Sequence, residues 1–168
     1  KKVKSTNNTA IRIIKTTNHK LGMVIAETQI NGRGQYGRKW ISYKGNLFVS
    51  FFHELNKKNL SISSITKINC LLLKKLLSKF TKKKILFKKP NDLLINKKKI
   101  SGILQEVIVI EDKKYLITGI GINIIKNPNI KNYPATNLRD ITKKSINKLK
   151  VENKLKQIFV KNLTKLYK

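Results

Sequence analysis

The feature that most narrows what this chain can fold into is the stretch from Glu27 to Phe52, ETQINGRGQYGRKWISYKGNLFVSFF. An apolar run, Met23-Val24-Ile25-Ala26, leads into it, and another, Leu47-Phe48-Val49-Ser50-Phe51-Phe52, leads out. Both read as strands, because short apolar runs bounded by glycine and polar residues are strand signals. Between them Gly32, Gly34, Gly37 and Gly45 are interleaved with Arg33 and Arg38. Glycine lets a backbone fold closely over a ligand. Arginine supplies a charged donor fork that suits carboxylate and phosphate oxygens. A loop both pliant and cationic, held between two strands, reads as a lid over an anionic small molecule. A solvated basic connection is the plainer alternative.

Rare residues favour the lid. The chain has 34 lysines but only four arginines, Arg12, Arg33, Arg38 and Arg139, and two of the four lie in this loop. Its one tryptophan, Trp40, closes the same loop. Where Lys carries nearly every positive charge, Arg at a given place marks a need for planar geometry.

The loop resembles the glycine-arginine signature of the biotin protein ligases: an acidic residue, Thr and Gln, then Gly-Arg-Gly-x-x-Gly-Arg-x-Trp, then Ser-x-x-Gly before a strand. Four further stretches resemble that family's motifs, in the same order. They are Ser5-Thr6-Asn7; Lys88-Lys89-Pro90-Asn91-Asp92 with Lys99-Ile100-Ser101-Gly102-Ile103-Leu104; Gly119-Ile120-Gly121-Ile122-Asn123; and Tyr133-Pro134-Ala135-Thr136-Asn137-Leu138. Five ordered motifs are far more specific than one glycine pattern.

The resemblance implies ATP-dependent activation of biotin to biotinyl-5′-AMP, then transfer to a lysine of an acidic acceptor, the biotin carboxyl carrier protein. Biotin and ATP would be substrates, with Mg²⁺ on the nucleotide. Lys99, Arg33 and Asp92 would be the catalytic set. Ser5, Thr6, Asn7, Gln29, Gly32, Gly34, Gln35, Trp40 and Gly102, with Arg33 and Lys99, would bind biotin. Arg38, Lys88, Asn91 and Asn123 would bind ATP. No side-chain metal site is expected, since His19 and His53 stand apart from any Cys or acidic cluster. Three departures stand out: Gln35 replaces a usual Arg, Lys89 a usual Trp, and Tyr43 a common Pro. Looser retention of the adenylate is the expectation at Gln35.

The periodicity predicts a helix from about Asn7 to Lys15, a strand from Gly22 to Thr28, and a long helix from Ser61 to Phe80 with Ile62, Ile65, Ile68, Leu72, Leu73, Leu76 and Leu77 inward. Strands follow at Ile85–Lys88, Leu93–Ile95, Lys99–Ile110 and Tyr115–Ile125, with turns at Asn96–Lys98 and Glu111–Lys114. A last helix starts at Ser145 or Val151, with Leu155, Ile158, Phe159, Leu163 and Leu166 inward. That order is α+β: an antiparallel or mixed sheet with helices on one face. By resemblance it is the fold of class II aminoacyl-tRNA synthetase and biotin synthetase cores. One domain over residues 1–168 is expected.

The net charge of +30 invites a nucleic-acid reading. However, the lysines are spread along the whole chain, Ile and Asn are abundant too, and aromatics are not interleaved as stacking platforms. Composition drift explains this better. The charge would still steer an acidic partner. Cys70 is alone, so no internal disulfide forms, and a cytoplasmic setting is expected. No run reaches the roughly 18 apolar residues of a membrane span. No helix-turn-helix precedes Ser5 and no small barrel follows the last helix, so a catalytic domain without a DNA partner is expected, with a homodimer possible. Two alternatives remain: a lipoate or octanoyl transferase, for which Cys70 would be the candidate nucleophile, and a basic nucleic-acid-binding module.

Overall fold

The computed structural model describes residues 1–17, 19–55 and 61–166, with side chains described through Asn162. Six antiparallel strands form the main sheet, in the order β2-β4-β8-β7-β6-β5. They are β2 (Leu21–Ala26), β4 (Leu47–Glu54), β5 (Ile85–Lys88), β6 (Asp92–Ile95), β7 (Lys98–Ile110) and β8 (Lys113–Ile122). β1 (Lys2–Val3) and β3 (Thr28–Gln29) make a short parallel pair. The helices are α1 (Thr6–Thr16), α2 (Ile62–Leu77), α3 (Leu138–Thr142) and α4 (Lys148–Leu166).

Strand period two explains the layering. On β4, Leu47, Val49 and Phe51 point to the face covered by α2 and α4. There they meet Cys70, Leu73, Leu76 and Leu77 of α2 and Val151, Leu155 and Phe159 of α4. The rings of Phe51 and Phe159 stack 4.8 Å apart. Phe52 points the other way, into a second cluster with Ala10 and Ile14 of α1, Val24, Tyr115 and Ile117. Helices therefore cover both faces of the sheet, not one. Helical periodicity shows which side of α1 is apolar, but not which sheet face receives it.

The long helix starts one residue inside its cap. Ser61 Oγ accepts from the backbone N–H of Ser64, as an N-cap serine does. Ile62, the first residue of the helix, is exposed rather than inward. α4 buries Val151, Leu155 and Phe159, with Ile158 packed beside them; Leu163 and Leu166 lie outside the described side chains. Both tight hairpins have left-handed residue pairs, Asn96-Lys97 and Glu111-Asp112, the conformation that matches strand twist. The expected strand from Gly22 to Thr28 is broken at Glu27 into β2 and β3. Sequence reading missed the five-residue α3, capped by Asn137 accepting from the Asp140 N–H at 2.8 Å.

One irregularity bears on the site. Across β6 and β7, Leu93 pairs with Ser101 but Leu94 pairs with Lys99, leaving Ile100 as the extra residue. A bulge of this kind re-aims the neighbouring side chains. Ile100 stays in the α2-side core, and Lys99 reaches the opposite face beside Gly102.

Candidate active site

The face of the sheet that α1 leaves open has had its side chains removed at three points. Gly119 and Gly121 lie on β8, and Gly102 is the cross-strand partner of Gly121 on β7. A Cβ at Gly119 would collide with the Asn7 amide, and one at Gly121 with the Trp40 indole. One at Gly102 would sit 2.9 Å from Lys99 Cε. The strand glycines thus make a trough for Asn7, Trp40 and Lys99, the close approach that interior strand glycines often mark.

The glycine-arginine loop closes over this trough. The Trp40 N–H donates to the Gly32 carbonyl at 2.8 Å, and the Gly34 N–H to the Arg38 carbonyl at 2.7 Å. Gly32 is buried beneath the Trp40 carbonyl. Gln35 opens a single 3₁₀ turn in which Tyr36 and Gly37 both take left-handed φ, at 56° and 72°. Tyr36 projects 85% exposed at the tip. Beneath lies an open pocket of about 350 Å³, lined by residues 33–37 of the loop and by Leu104 and Glu106 of β7.

The predicted cations are distributed around this pocket and trough. Arg33 Nη2 lies 2.8 Å from both Glu106 carboxylate oxygens. Lys99 Nζ lies 2.7 Å from Asp92 Oδ1 and 5.1 Å from the centre of the Trp40 ring. The Arg38 guanidinium stacks 4.7 Å over the Tyr133 ring. Lys88 is exposed on β5, opposite Asp92 in the hairpin register.

Other predicted residues are internal supports, buried or half-buried. Ser5, Thr6 and Asn7 are each at most 4% exposed. The Ser5 side chain makes no cap bond; instead Gln29 Oε1 accepts from the Thr6 N–H at 2.8 Å and from Thr6 Oγ1 at 3.1 Å. Asn7 Oδ1 accepts from Ser50 Oγ at 2.5 Å, and Asn7 Nδ2 donates to Glu106 Oε2 at 2.6 Å. Asn91 Nδ2 donates to the Ile103 carbonyl at 2.6 Å and so braces the β6–β7 pair. Asn123 Nδ2 donates to the Thr136 carbonyl at 3.0 Å. The Lys99 N–H and carbonyl are bonded to Pro134 and Thr136. Asn123 therefore ties the late Pro-Ala-Thr turn to the Lys99 backbone, with its amide donors directed inward.

Sequence reading missed Glu106 and Ser50. Glu106 offered one signal: the chain holds only eight acids, and this one follows the Gly102-Ile103-Leu104 motif by two residues. Cys70 is fully buried on α2. Burial, aided by the negative charge of Asp92, pushes its thiol up to about 12. A thiol so protonated is a poor nucleophile, which removes the basis for Cys70 as an octanoyl carrier.

Residues 1–123 match the family model described as the Biotin/lipoate A/B protein ligase family. The chain belongs to that family. It is 34% identical over 102 residues to the bifunctional ligase/repressor BirA of Escherichia coli, covering 60% of this chain and 32% of that protein. It thus spans about a third of the length of the curated relatives it matches. Its fold is similar to that of the biotin protein ligase of Aquifex aeolicus solved with biotin and ATP (TM-score 0.80, 33% identity, 99% of this chain and 69% of that one). It is also similar to the Leishmania major biotin protein ligase solved with biotinyl-5-AMP (TM-score 0.80, 28% identity, 94% of this chain and 70% of that one). Among the described residues, no helix of this family member is long and apolar enough to cross a membrane.

Proposed function

We propose that this chain joins biotin to ATP, forming biotinyl-5′-AMP and pyrophosphate, and then passes the biotinyl group to a lysine of an acidic acceptor protein. The observation that carries the reading is a glycine-floored trough that holds Lys99 of β7 and is joined, through Asn7 and Glu106, to the loop pocket that Arg33 lines. Relatives of the same fold bind biotin with ATP, or biotinyl-5-AMP, in their solved complexes.

The chemistry sets the requirement. A carboxylate oxygen must attack the α-phosphorus, and the bond to pyrophosphate must break. Two anions meet, and charge builds on the phosphoryl oxygens. Fixed cations in a water-poor site lower such a barrier, each good donor contributing about 3 kcal/mol. Lys99 and Arg33 are assigned to the carboxylate and the α-phosphate. Arg38, Lys88, Asn91 and Asn123 are assigned to the nucleotide side. Asp92 holds Lys99 in place, and it is the carboxylate at hand for Mg²⁺ carried on the ATP phosphates, where that ion usually keeps one or two protein oxygens. Ser5, Thr6, Asn7 and Gln29 shape the inner end of the biotin site, with Gly32, Gly34, Gln35, Trp40 and Gly102 as its walls. In the second step the acceptor amine attacks the anhydride carbonyl and AMP leaves with its electron pair. The net charge of +30 favours an acidic acceptor domain such as a biotin carboxyl carrier protein. DNA is not a partner in this reading, and sedimentation velocity would decide between a monomer and a homodimer.

Biotin-dependent exchange of labelled pyrophosphate into ATP tests the first step. Exchange with biotin, and none with lipoate, is expected. Exchange with lipoate alone would overturn the assignment.

A further inference from the structure

The pocket under the loop is lined by an acid, although the molecules assigned to it are anions. That acid, Glu106, is one of eight in a chain of net charge +30. A carboxylate so placed repels the ligand unless it does something else. We propose that Glu106 is the positioning residue for Arg33: it holds the loop closed before any ligand arrives and leaves the rest of the guanidinium to serve the pocket that both residues line. This inference rests on the reading above.

The geometry supports a one-sided grip. Only Nη2 of Arg33 contacts Glu106, and it lies 2.8 Å from both oxygens. The other guanidinium N–H groups of the fork are left for a second anion. The Glu106 carboxylate is itself held. Asn7 Nδ2 donates to its Oε2 at 2.6 Å, and the amide cannot turn over. Its Oδ1 takes the Ser50 hydroxyl at 2.5 Å, while Nδ2 also faces the Leu104 carbonyl at 3.4 Å. Flipped, Asn7 would set its oxygen against two acceptors. The row Ser50–Asn7–Glu106–Arg33 therefore carries orientation from the sheet, through the first turn of α1, to the loop. Gly119 gives Asn7 the room to stand in this row.

Glu106→Gln tests this, because it keeps the shape and removes the charge. Its ligand-free arm is amide hydrogen exchange over residues 32–40. The Gly34 and Trp40 amides, bonded within the closed loop, should exchange about tenfold faster in the variant, the scale of a charge-assisted bond lost at a partly exposed site. Its ligand arm is biotin affinity. Glu106→Gln should weaken it about tenfold, and the same change in an Arg33→Ala background should have no further effect. Unchanged exchange over 32–40 overturns the proposal, as does biotin binding equal to or tighter than that of the unaltered chain. Additive effects in the double variant would make Glu106 a structural residue only. If the unaltered chain binds no biotin, the functional reading fails, but the exchange arm still decides whether Glu106 sets Arg33.

Discussion

The two faces of the central sheet are built on opposite principles. Under α2 and α4 apolar side chains fill the interior: Leu47, Val49, Phe51, Ile103, Ile120 and Ile122 meet Cys70, Leu73, Leu76 and Leu77 of α2 and Val151, Leu155 and Phe159 of α4. On the other face Gly102 and Gly121 pair across β7 and β8, Gly119 follows two residues away on β8, and Asn7, Trp40 and Lys99 lie over them. The filled face supplies stability through volume, at about 0.8 kcal/mol per buried methylene. The emptied face gives up that packing and gains space and fixed charge. One strand can do both because its side chains alternate. The candidate site therefore depends on side chains being absent from β7 and β8 as much as on the cations placed above them.

The largest effect should come from opening the filled face. Phe51→Ala removes a fully buried ring stacked on Phe159 and should cost about 3–5 kcal/mol, read as a lower denaturant midpoint. Biotin affinity of the folded fraction should stay as it was; a loss there would mean the two faces are not separable. Next, Lys99→Ala should slow adenylate formation about 10²–10³-fold with little change in melting temperature, measured by pyrophosphate exchange. A normal rate would remove the central cation from the account. Gly119→Ala fills the emptied face and displaces Asn7. A cost of about 1–3 kcal/mol is expected, with biotin affinity falling alongside it. Unaltered affinity would mean the trough tolerates a side chain.

An effect confined to acid pH concerns His53, which is buried on β4. Burial lowers its folded pKa from 6.5 to about 4. Between those values the unfolded chain takes up a proton that the folded chain refuses. Stability is therefore full above pH 6.5 and falls as pH drops toward 4, by about 2 kcal/mol at pH 5. In His53→Phe the loss between pH 7 and pH 5 should be smaller by that amount in urea titrations. Equal slopes would show that His53 does not report burial.

Much of this arrangement was legible in the sequence, because strands, the α2 stripe and the hairpin turns are encoded by local period and turn chemistry. The strand glycines were readable as points of close approach. What approaches them was not: Asn7 meets Gly119 across more than a hundred residues, and no local pattern encodes that pairing. Glu106 escaped for the same reason, since its partners Arg33 and Asn7 come from the loop and from α1. The use of Asn91 and Asn123 in backbone bracing was hidden as well, because an Asn at a motif position looks alike whether it turns to a ligand or to a carbonyl. The second helical face was missed because amphipathicity gives the inward side of α1 but not its destination.

The function proposed requires biotin and ATP to occupy the trough beneath the loop. Trp40 is the only tryptophan, it closes that loop, and Lys99 lies against its ring, so its fluorescence reports the site alone. Titration with biotin, then with ATP, should give saturable changes in Trp40 emission that are lost in Lys99→Ala. Emission that ignores both ligands while calorimetry registers their binding would place the site elsewhere, and binding of neither ligand would contradict the function proposed.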